Sequence, residues 1–164
     1  MKRPHWPAFR ASQQRVHDAL PHTGMAVTLD LGHPTDVHPR DKKPVGERLA
    51  LIAANQVYGK TVVAFGPVVQ SVTRNGDRLI LKFESADGLR TRDGKPPTGF
   101  EIRNGKEEWH AVKARIVDGV LKLNCGTLKK TAAVRYGWVS FPEPRLNLIN
   151  VVGLPAAPFS RDVD

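Results

Sequence analysis

The chain has 164 residues, of which 40% are hydrophobic and 25% are charged, so its composition is that of a folded globular protein and excludes a disordered one. Its 14 glycines and 13 prolines favour turns and short strands over a helical bundle. The sequence has no run of roughly 18 to 20 apolar residues, so we expect no membrane-spanning helix and no membrane partner. The single cysteine excludes an internal disulfide and a cysteine-rich zinc site.

A net charge of +9 is compatible with binding to nucleic acid. Residues 1–60 carry nine Lys and Arg against five Asp and Glu, and residues 61–164 carry sixteen against eleven. The positive charge is therefore spread along the chain, and short pairs such as Lys42-Lys43 and Lys129-Lys130 are typical of a solvated surface. Because there is no basic block and no basic motif with interleaved aromatic residues, we expect no nucleic-acid partner.

The first 60 residues have the pattern of an α/β unit. Residues 8–20 predict a helix with three apolar side chains near one face: Phe9, Val16 and Leu20. Residues 25–30 are a compact β-favouring run, and a second helix begins at Pro44 and ends near Gly59. Helix, strand, polar loop and helix in this order predict a parallel strand whose following loop lies at a functional edge.

After Lys60 the pattern changes to alternation of apolar and polar residues with hairpin turns. Three hairpins are predicted: 68–74 with 78–83 across Asn75-Gly76, 99–103 with 107–111 across Asn104-Gly105, and 112–117 with 120–124 across Asp118-Gly119. Residues 132–140 predict a further strand. Short strands with regular turns favour an antiparallel β-sandwich. The proline-rich end carries many apolar side chains, so residues 153–159 are expected to dock onto the folded part.

The loop at residues 32–39, GHPTDVHP, contains the candidate catalytic residues. Asp36 and His38 are the residue types that form the acid and base of a serine-hydrolase triad, in which a carboxylate orients the imidazole and stabilises its protonated form. Two other interpretations remain open at this point. The histidines can be ordinary surface residues of a polar loop, or His33, Asp36 and His38 can hold a metal ion.

The same loop resembles a known family. Residues 25–43, continued by PVGERLA at 44–50, are similar to the sialate O-acetylesterase family, in which a strand runs into a D-[IV]-H-P loop and then a K-x-x-V-G-x-R-L-A helix. Later landmarks of that family are similar in the same order: Tyr58-Gly-Lys, Gly66-Pro-Val, Gly99-Phe-Glu-Ile, Val134-Arg-Tyr-Gly-Trp and Gly153-Leu-Pro-Ala-Ala-Pro-Phe. The resemblance therefore covers nearly the whole chain.

The resemblance implies an SGNH-type ester hydrolase that removes acetyl groups from sugar hydroxyls, sialic acid among them, without a metal or cofactor. Residues 1–60 would be the C-terminal portion of the α/β catalytic domain, with its last strand, histidine loop and helix, and residues 61–164 an accessory β-sandwich with the docked tail. By the motif match, His38 would be the catalytic base. Asp36 is the carboxylate available to it, since Thr35 stands where many relatives of the wider superfamily have Asp.

The nucleophile of the family lies in an early G-Q-S or G-D-S block, followed by blocks that supply the oxyanion hole. None of the five serines is in such a context: Ser12, Ser71, Ser85, Ser140 and Ser160. We therefore expect the chain to be inactive alone and to need a complementing N-terminal chain. The alternative is a non-catalytic β-sandwich module with a carbohydrate-binding or structural role. The resemblance also suggests a periplasmic or secreted location.

Overall fold

The structure is a computed structural model that describes residues 5–36, 38–106, 108–126 and 131–163. These residues form two helices, α1 (Trp6–Ala19) and α2 (Lys43–Gln56), followed by short strands. The strands in chain order are β1 (Val68–Asn75), β2 (Arg78–Glu84), β3 (Arg90–Thr91), β4 (Phe100–Arg103), β5 (His110–Ala111), β6 (Ala114–Val117), β7 (Val120–Asn124), β8 (Ala133–Tyr136), β9 (Leu148–Ile149) and β10 (Phe159–Asp162). Neither described helix has the length and apolar character needed to cross a bilayer.

Every strand pair among the described residues is antiparallel. One four-stranded sheet has the order β1-β2-β7-β6, a second has the order β10-β8-β4-β5, and β3 pairs with β9. The three predicted hairpins are confirmed in their strand pairing by β1–β2, β4–β5 and β6–β7. The first hairpin turns over Gly76-Asp77, since Asn75 already pairs with Arg78, and the returning strand of the second is shorter than predicted, with only His110–Ala111 in β5. Gly76 and Gly119 have φ of 59° and 74°, the left-handed conformations that two-residue hairpin turns require. Within these predictions, Glu107 and the pair Lys129-Lys130 lie outside the described residues.

One hydrophobic core contains residues of both four-stranded sheets. The first sheet contributes Leu79, Leu81, Leu121 and Leu123, and the second contributes Phe100, Ile102, Val134 and Tyr136. The Tyr136 ring lies 4.6 Å from the Phe100 ring and 6.1 Å from the Phe159 ring, measured between centroids. Leu29, from the segment before the histidine loop, belongs to the same core. The β-sheets and the N-terminal segment therefore pack as neighbours.

The strand predicted over residues 25–30 is not formed. Among the described residues no strand pairs with this segment, and its polar groups bond elsewhere. The Val27 carbonyl accepts from the Arg48 guanidinium over 2.5 Å, and the Thr28 carbonyl accepts from the Leu31 N–H over 3.0 Å. A strand needs a neighbour that satisfies its main-chain groups. Because the sheets of this chain lie elsewhere, β-favouring residues here do not become a strand, and that prediction is wrong for the described chain.

Helix α1 agrees with the predicted helix to within a few residues, but its apolar face lies in solvent. Phe9, Val16 and Leu20 have 55%, 55% and 53% of their surface exposed. Other side chains of the helix hold it in place. The Arg10 guanidinium donates to the carbonyls of Gly137 and Val139, and the His17 ring stacks on Phe65 with centroids 6.4 Å apart. Polar and ring contacts, instead of a buried apolar stripe, therefore attach α1 to the β-sheets.

The proline-rich end docks as predicted. Strand β10 pairs with β8 along its whole length, and Leu154 and Phe159 are buried. The N–H of Ala156 donates to the Leu148 carbonyl over 3.0 Å, and the N–H of Ala157 donates to the Pro67 carbonyl over 2.9 Å. The strand predicted over residues 132–140 is shorter than expected and stops at Tyr136, because Gly137 follows with φ of 62°, outside the extended range.

Candidate functional site

The loop before α2 places Asp36 and His38 close together and in solvent. The Asp36 carboxylate accepts a hydrogen bond from the main-chain N–H of His38 over 2.7 Å. Both side chains are exposed. This bond closes a short turn of the kind that Asp side chains form with a residue two positions later. Both residues lie on one exposed loop, as predicted, whereas proximity of the Asp36 carboxylate to the His38 ring stays a prediction because the described bond goes to the main chain.

His33 organises the first half of the loop. Its Nδ1 accepts from the N–H of Asp36 over 3.1 Å and lies 3.3 Å from the N–H of Thr35. A neutral imidazole that accepts at Nδ1 carries its proton on Nε2. His33 therefore fixes the main chain that presents Asp36. Among the described residues, no group of three His, Cys, Asp or Glu side chains is placed to hold a metal ion.

The segment before the loop is anchored by a buried ion pair that the sequence analysis missed. Arg48 of α2 donates to both carboxylate oxygens of Asp30 over 2.7 Å, and Arg92 lies 3.3 Å from the same carboxylate. The side chains of Asp30 and Arg48 have only 8% and 11% of their surface exposed. A bidentate pair of this kind fixes the relative orientation of the two side chains as well as the distance between them. It ties the start of the histidine loop to α2 and to the end of β3.

The position of Arg48 in the sequence indicates that its side chain lies on the buried face of α2. It lies four residues before Ile52 and three residues after Val45, on the helix face that the apolar residues define. An arginine on a buried face is rarely stable without a carboxylate partner. That argument predicts a buried acidic partner for Arg48. It does not identify Asp30, because the two residues meet only in the folded chain.

Asp30 also affects a neighbouring phenol. Burial raises the pKa of Tyr136 far above its usual value, and the negative charge of Asp30 raises it further. A hydrogen bond between Tyr136 and the main chain of Leu148 acts in the opposite direction with a smaller effect. Tyr136 therefore stays protonated in the folded protein well into the alkaline range, beside the anchored segment.

A second arginine clamps the loop from the connection after β8. Arg145 donates to the carbonyls of Leu31 and Gly32, each over 2.8 Å, and its guanidinium lies 4.4 Å from the centre of the Phe141 ring. Arg145 lies 114 positions after Leu31 and 113 positions after Gly32 in the chain. The β-sheet part of the chain thus holds the main chain immediately before His33, in addition to the ion pair at Asp30.

A cavity of about 990 Å³ lies between α1, the histidine loop and the connection after β8. Its lining includes Arg10, His33, Asp36 and two serines, Ser140 and Ser160. Burial lowers the pKa of Arg10, and its Nε has no hydrogen-bond partner in the part of the chain that the structure describes. The cavity opens beside the candidate acid, so Ser140 and Ser160 are the serines to test for a role at this site.

Comparison with known proteins relates the chain to acetylesterases. No family model matches it. It is 31% identical over 137 residues to a sialate O-acetylesterase of Mus musculus, a match that covers 75% of this chain and 24% of that protein. It is also similar to the crystal structure of a carbohydrate acetylesterase from Xanthomonas citri, with 38% identity and a TM-score of 0.88 over 96% of this chain and 36% of that one. The chain thus spans about a quarter and about a third of these relatives.

Proposed function

From the premise that this chain belongs to the sialate O-acetylesterase family and spans part of the length of its relatives, we propose that it contributes a base and an acid to an esterase that removes acetyl groups from sugars. In this proposal residues 1–60 are the last part of an SGNH-type α/β domain. Residues 61–164 form an accessory β-sandwich, in keeping with the core that both four-stranded sheets share. A complementing polypeptide supplies the serine and the oxyanion donors.

His38 is the proposed general base. Its ring takes the proton of the serine hydroxyl as the serine oxygen attacks the acetyl carbonyl, and it returns that proton to the sugar oxygen as the sugar leaves. The same ring then activates the water that releases acetate from the serine. Asp36 holds the main chain of His38 over 2.7 Å, which keeps a negative charge two residues from the ring that becomes cationic.

One observation carries the proposal: Asp36 and His38 are exposed and hydrogen-bonded in one loop whose two ends are anchored. The Asp30–Arg48 pair and the Arg145 clamp fix the segment before the loop, and α2 follows it. A site that must receive a reacting serine from another segment needs its base accessible and its main chain held. Precise placement of catalytic groups contributes strongly to rate.

The test is complementation. The full chain is mixed with a polypeptide that carries the remaining part of the X. citri carbohydrate acetylesterase, and hydrolysis of nitrophenyl acetate and of an acetylated sugar is measured. Alone, the chain should hydrolyse esters no faster than free imidazole. The mixture should be active, and His38→Ala should reduce that activity by about 10² to 10⁴, the usual contribution of a general base.

His110→Ala is the matched control, because His110 is an exposed histidine on β5 and should leave activity unchanged. Activity of the mixture that does not depend on His38 would contradict the proposal and favour the non-catalytic module. Enzyme-like activity of the chain alone, lost in His38→Ala, would contradict the need for a complementing polypeptide. In that case Ser140→Ala and Ser160→Ala would identify a nucleophile within the chain.

A further inference from the structure

A charged cluster covers the outer face of the sheet β10-β8-β4-β5. Along β4, Phe100 and Ile102 point into the core, so Glu101 and Arg103 point away from it. Glu101 faces Arg135 of β8 across the strands. Trp109 lies one residue before His110, which pairs with Ile102, and this register places Trp109 beside Arg103. Glu101, Arg103, Trp109 and Arg135 together form what we call the outer-face cluster.

The two arginines of the cluster differ in their partners. Arg135 donates to both carboxylate oxygens of Glu101 over 2.8 Å and 3.2 Å, so its charge is compensated. Its guanidinium also lies 4.2 Å from the centre of the Trp109 ring. Arg103 stacks on the same ring at 4.8 Å. Cation–π contacts of this kind hold the guanidinium in place but use none of its N–H donors.

In the part of the chain that the structure describes, no acceptor bonds to the side-chain donors of Arg103. Its Nε is buried, and no described residue accepts a hydrogen bond from it. A buried donor without an acceptor is costly, and a charged one more so. The cluster thus has one positive charge in excess, on a guanidinium that Trp109 holds in place. Asp162 of β10 lies on the same face, beyond Ala133, and within the described residues it forms no ion pair with Arg103.

We propose that the outer-face cluster binds a sugar that carries a carboxylate group. Arg103 donates to the carboxylate, Glu101 accepts from a sugar hydroxyl, and the half-buried Trp109 contacts the ring of the sugar. A planar carboxylate matches the guanidinium fork. The neighbouring Glu101 carboxylate disfavours a dianionic phosphate more than a singly charged sugar acid. The site goes beyond the proposed esterase function, because binding here requires neither His38 nor a serine.

The experiment titrates the full chain with N-acetylneuraminic acid, glucuronate, N-acetylglucosamine, acetate and inorganic phosphate. Binding is measured by calorimetry and by the NMR signal of the Trp109 indole N–H, assigned with Trp109→Phe. Both acidic sugars should bind saturably and shift the Trp109 signal. Binding of the neutral sugar, of acetate and of phosphate should be at least tenfold weaker. Arg103→Gln should weaken binding of the acidic sugars at least tenfold.

Arg115→Gln is the matched control, since Arg115 is an exposed arginine on β6 of the other sheet. If Arg103→Gln fails to fold, Arg103→Lys keeps the charge but loses the fork, and it should weaken binding severalfold. The Trp109 signal locates the site without any arginine variant. Equal binding of phosphate or of the neutral sugar, an unshifted Trp109 signal, or affinity that is unchanged in Arg103→Gln would each overturn the proposal. Each of these readouts is independent of ester hydrolysis.

Discussion

At the scale of single residues, the buried pair of Asp30 and Arg48 is the contact on which the histidine loop most depends. Asp30→Asn keeps the size of the side chain but leaves the Arg48 cation buried without a carboxylate. Removing one partner of a buried ion pair lowers the free energy of unfolding by about 3 to 5 kcal/mol. We expect Asp30→Asn to lower the free energy of unfolding by that amount, as measured by urea denaturation.

Glu47→Gln provides the control for this measurement. Glu47 pairs with Lys43 on the same helix, at 3.6 Å, but the two side chains have 61% and 83% of their surface exposed. Exposed pairs contribute about 0 to 1 kcal/mol. If both variants lower the free energy of unfolding by the same small amount, the Asp30 pair does not anchor the loop.

Tyr136 gives a pH dependence at the same scale. Burial, with the charge of Asp30, holds the pKa of Tyr136 well above its usual value in the folded protein, whereas in the unfolded chain it returns to about 10. Above about pH 10 the folded state therefore keeps a proton that the unfolded state has lost. The contribution of Tyr136 to stability is complete below that pH and decreases as the pH rises.

Tyr136→Phe removes this ionisation. Between pH 9 and pH 11 the wild type should lose about 1 kcal/mol more stability than Tyr136→Phe, because the pKa difference changes the free energy by about 1.4 kcal/mol per pH unit above pH 10. Urea denaturation at each pH measures the two slopes. Tyr58→Phe is the control, since Tyr58 has 73% of its surface exposed. Parallel slopes for the wild type and Tyr136→Phe would contradict the assignment.

At the scale of elements, the sequence predicts those structures whose determining residues lie within a few positions of one another. Asp118-Gly119 specifies its own turn, and Asn75-Gly76 marks a hairpin whose turn residues are Gly76 and Asp77. The segment 25–30 has equally clear β-favouring residues, yet no strand pairs with it in the described chain. The pairing of β3 with β9 has no local signal, because Arg90 and Ile149 are far apart in the sequence.

The candidate site follows the same rule. Asp36 and His38 were predicted to lie together because they are two residues apart, and a hydrogen bond joins them. The clamp by Arg145 was missed, since its acceptors are main-chain carbonyls and any residue at positions 31 and 32 supplies one. No residue pattern distinguishes such an acceptor. Loop anchors made by side chains to distant main chain are therefore visible only in the structure.

The Arg145 clamp leads to a prediction about local opening. Arg145→Gln removes two hydrogen bonds of 2.8 Å to the residues just before the loop. The amide of Leu31, which bonds to the Thr28 carbonyl over 3.0 Å, should then exchange with solvent about tenfold faster, a change of about 1.4 kcal/mol in local opening. Hydrogen exchange of Leu31 should be unchanged in Arg161→Gln, an exposed arginine on β10. Unchanged exchange in Arg145→Gln would show that Asp30 alone holds the loop.

At the scale of the whole molecule, two features have opposite effects on association between copies of the chain. They are the net charge of +9 and the exposed apolar face of α1. Like charges keep copies of the chain apart, whereas Phe9, Val16 and Leu20 present apolar surface that favours association. Which effect dominates depends on salt, since charge repulsion reaches about 10 Å at 0.1 M salt and only about 3 Å at 1 M salt. Apolar contact is not weakened by the same change.

We therefore expect the chain to associate as salt rises from 0.1 M to 1 M, through the exposed face of α1. The double variant Phe9→Ser, Val16→Ser should remove this association and change the free energy of unfolding by less than about 0.5 kcal/mol, the usual limit for surface positions. Sedimentation velocity at the two salt concentrations measures the association. Val117→Ser is the control, because Val117 is 37% exposed on β6, away from α1. Association that persists in the double variant would place the contact elsewhere on the molecule and leave the apolar face of α1 without a role in it.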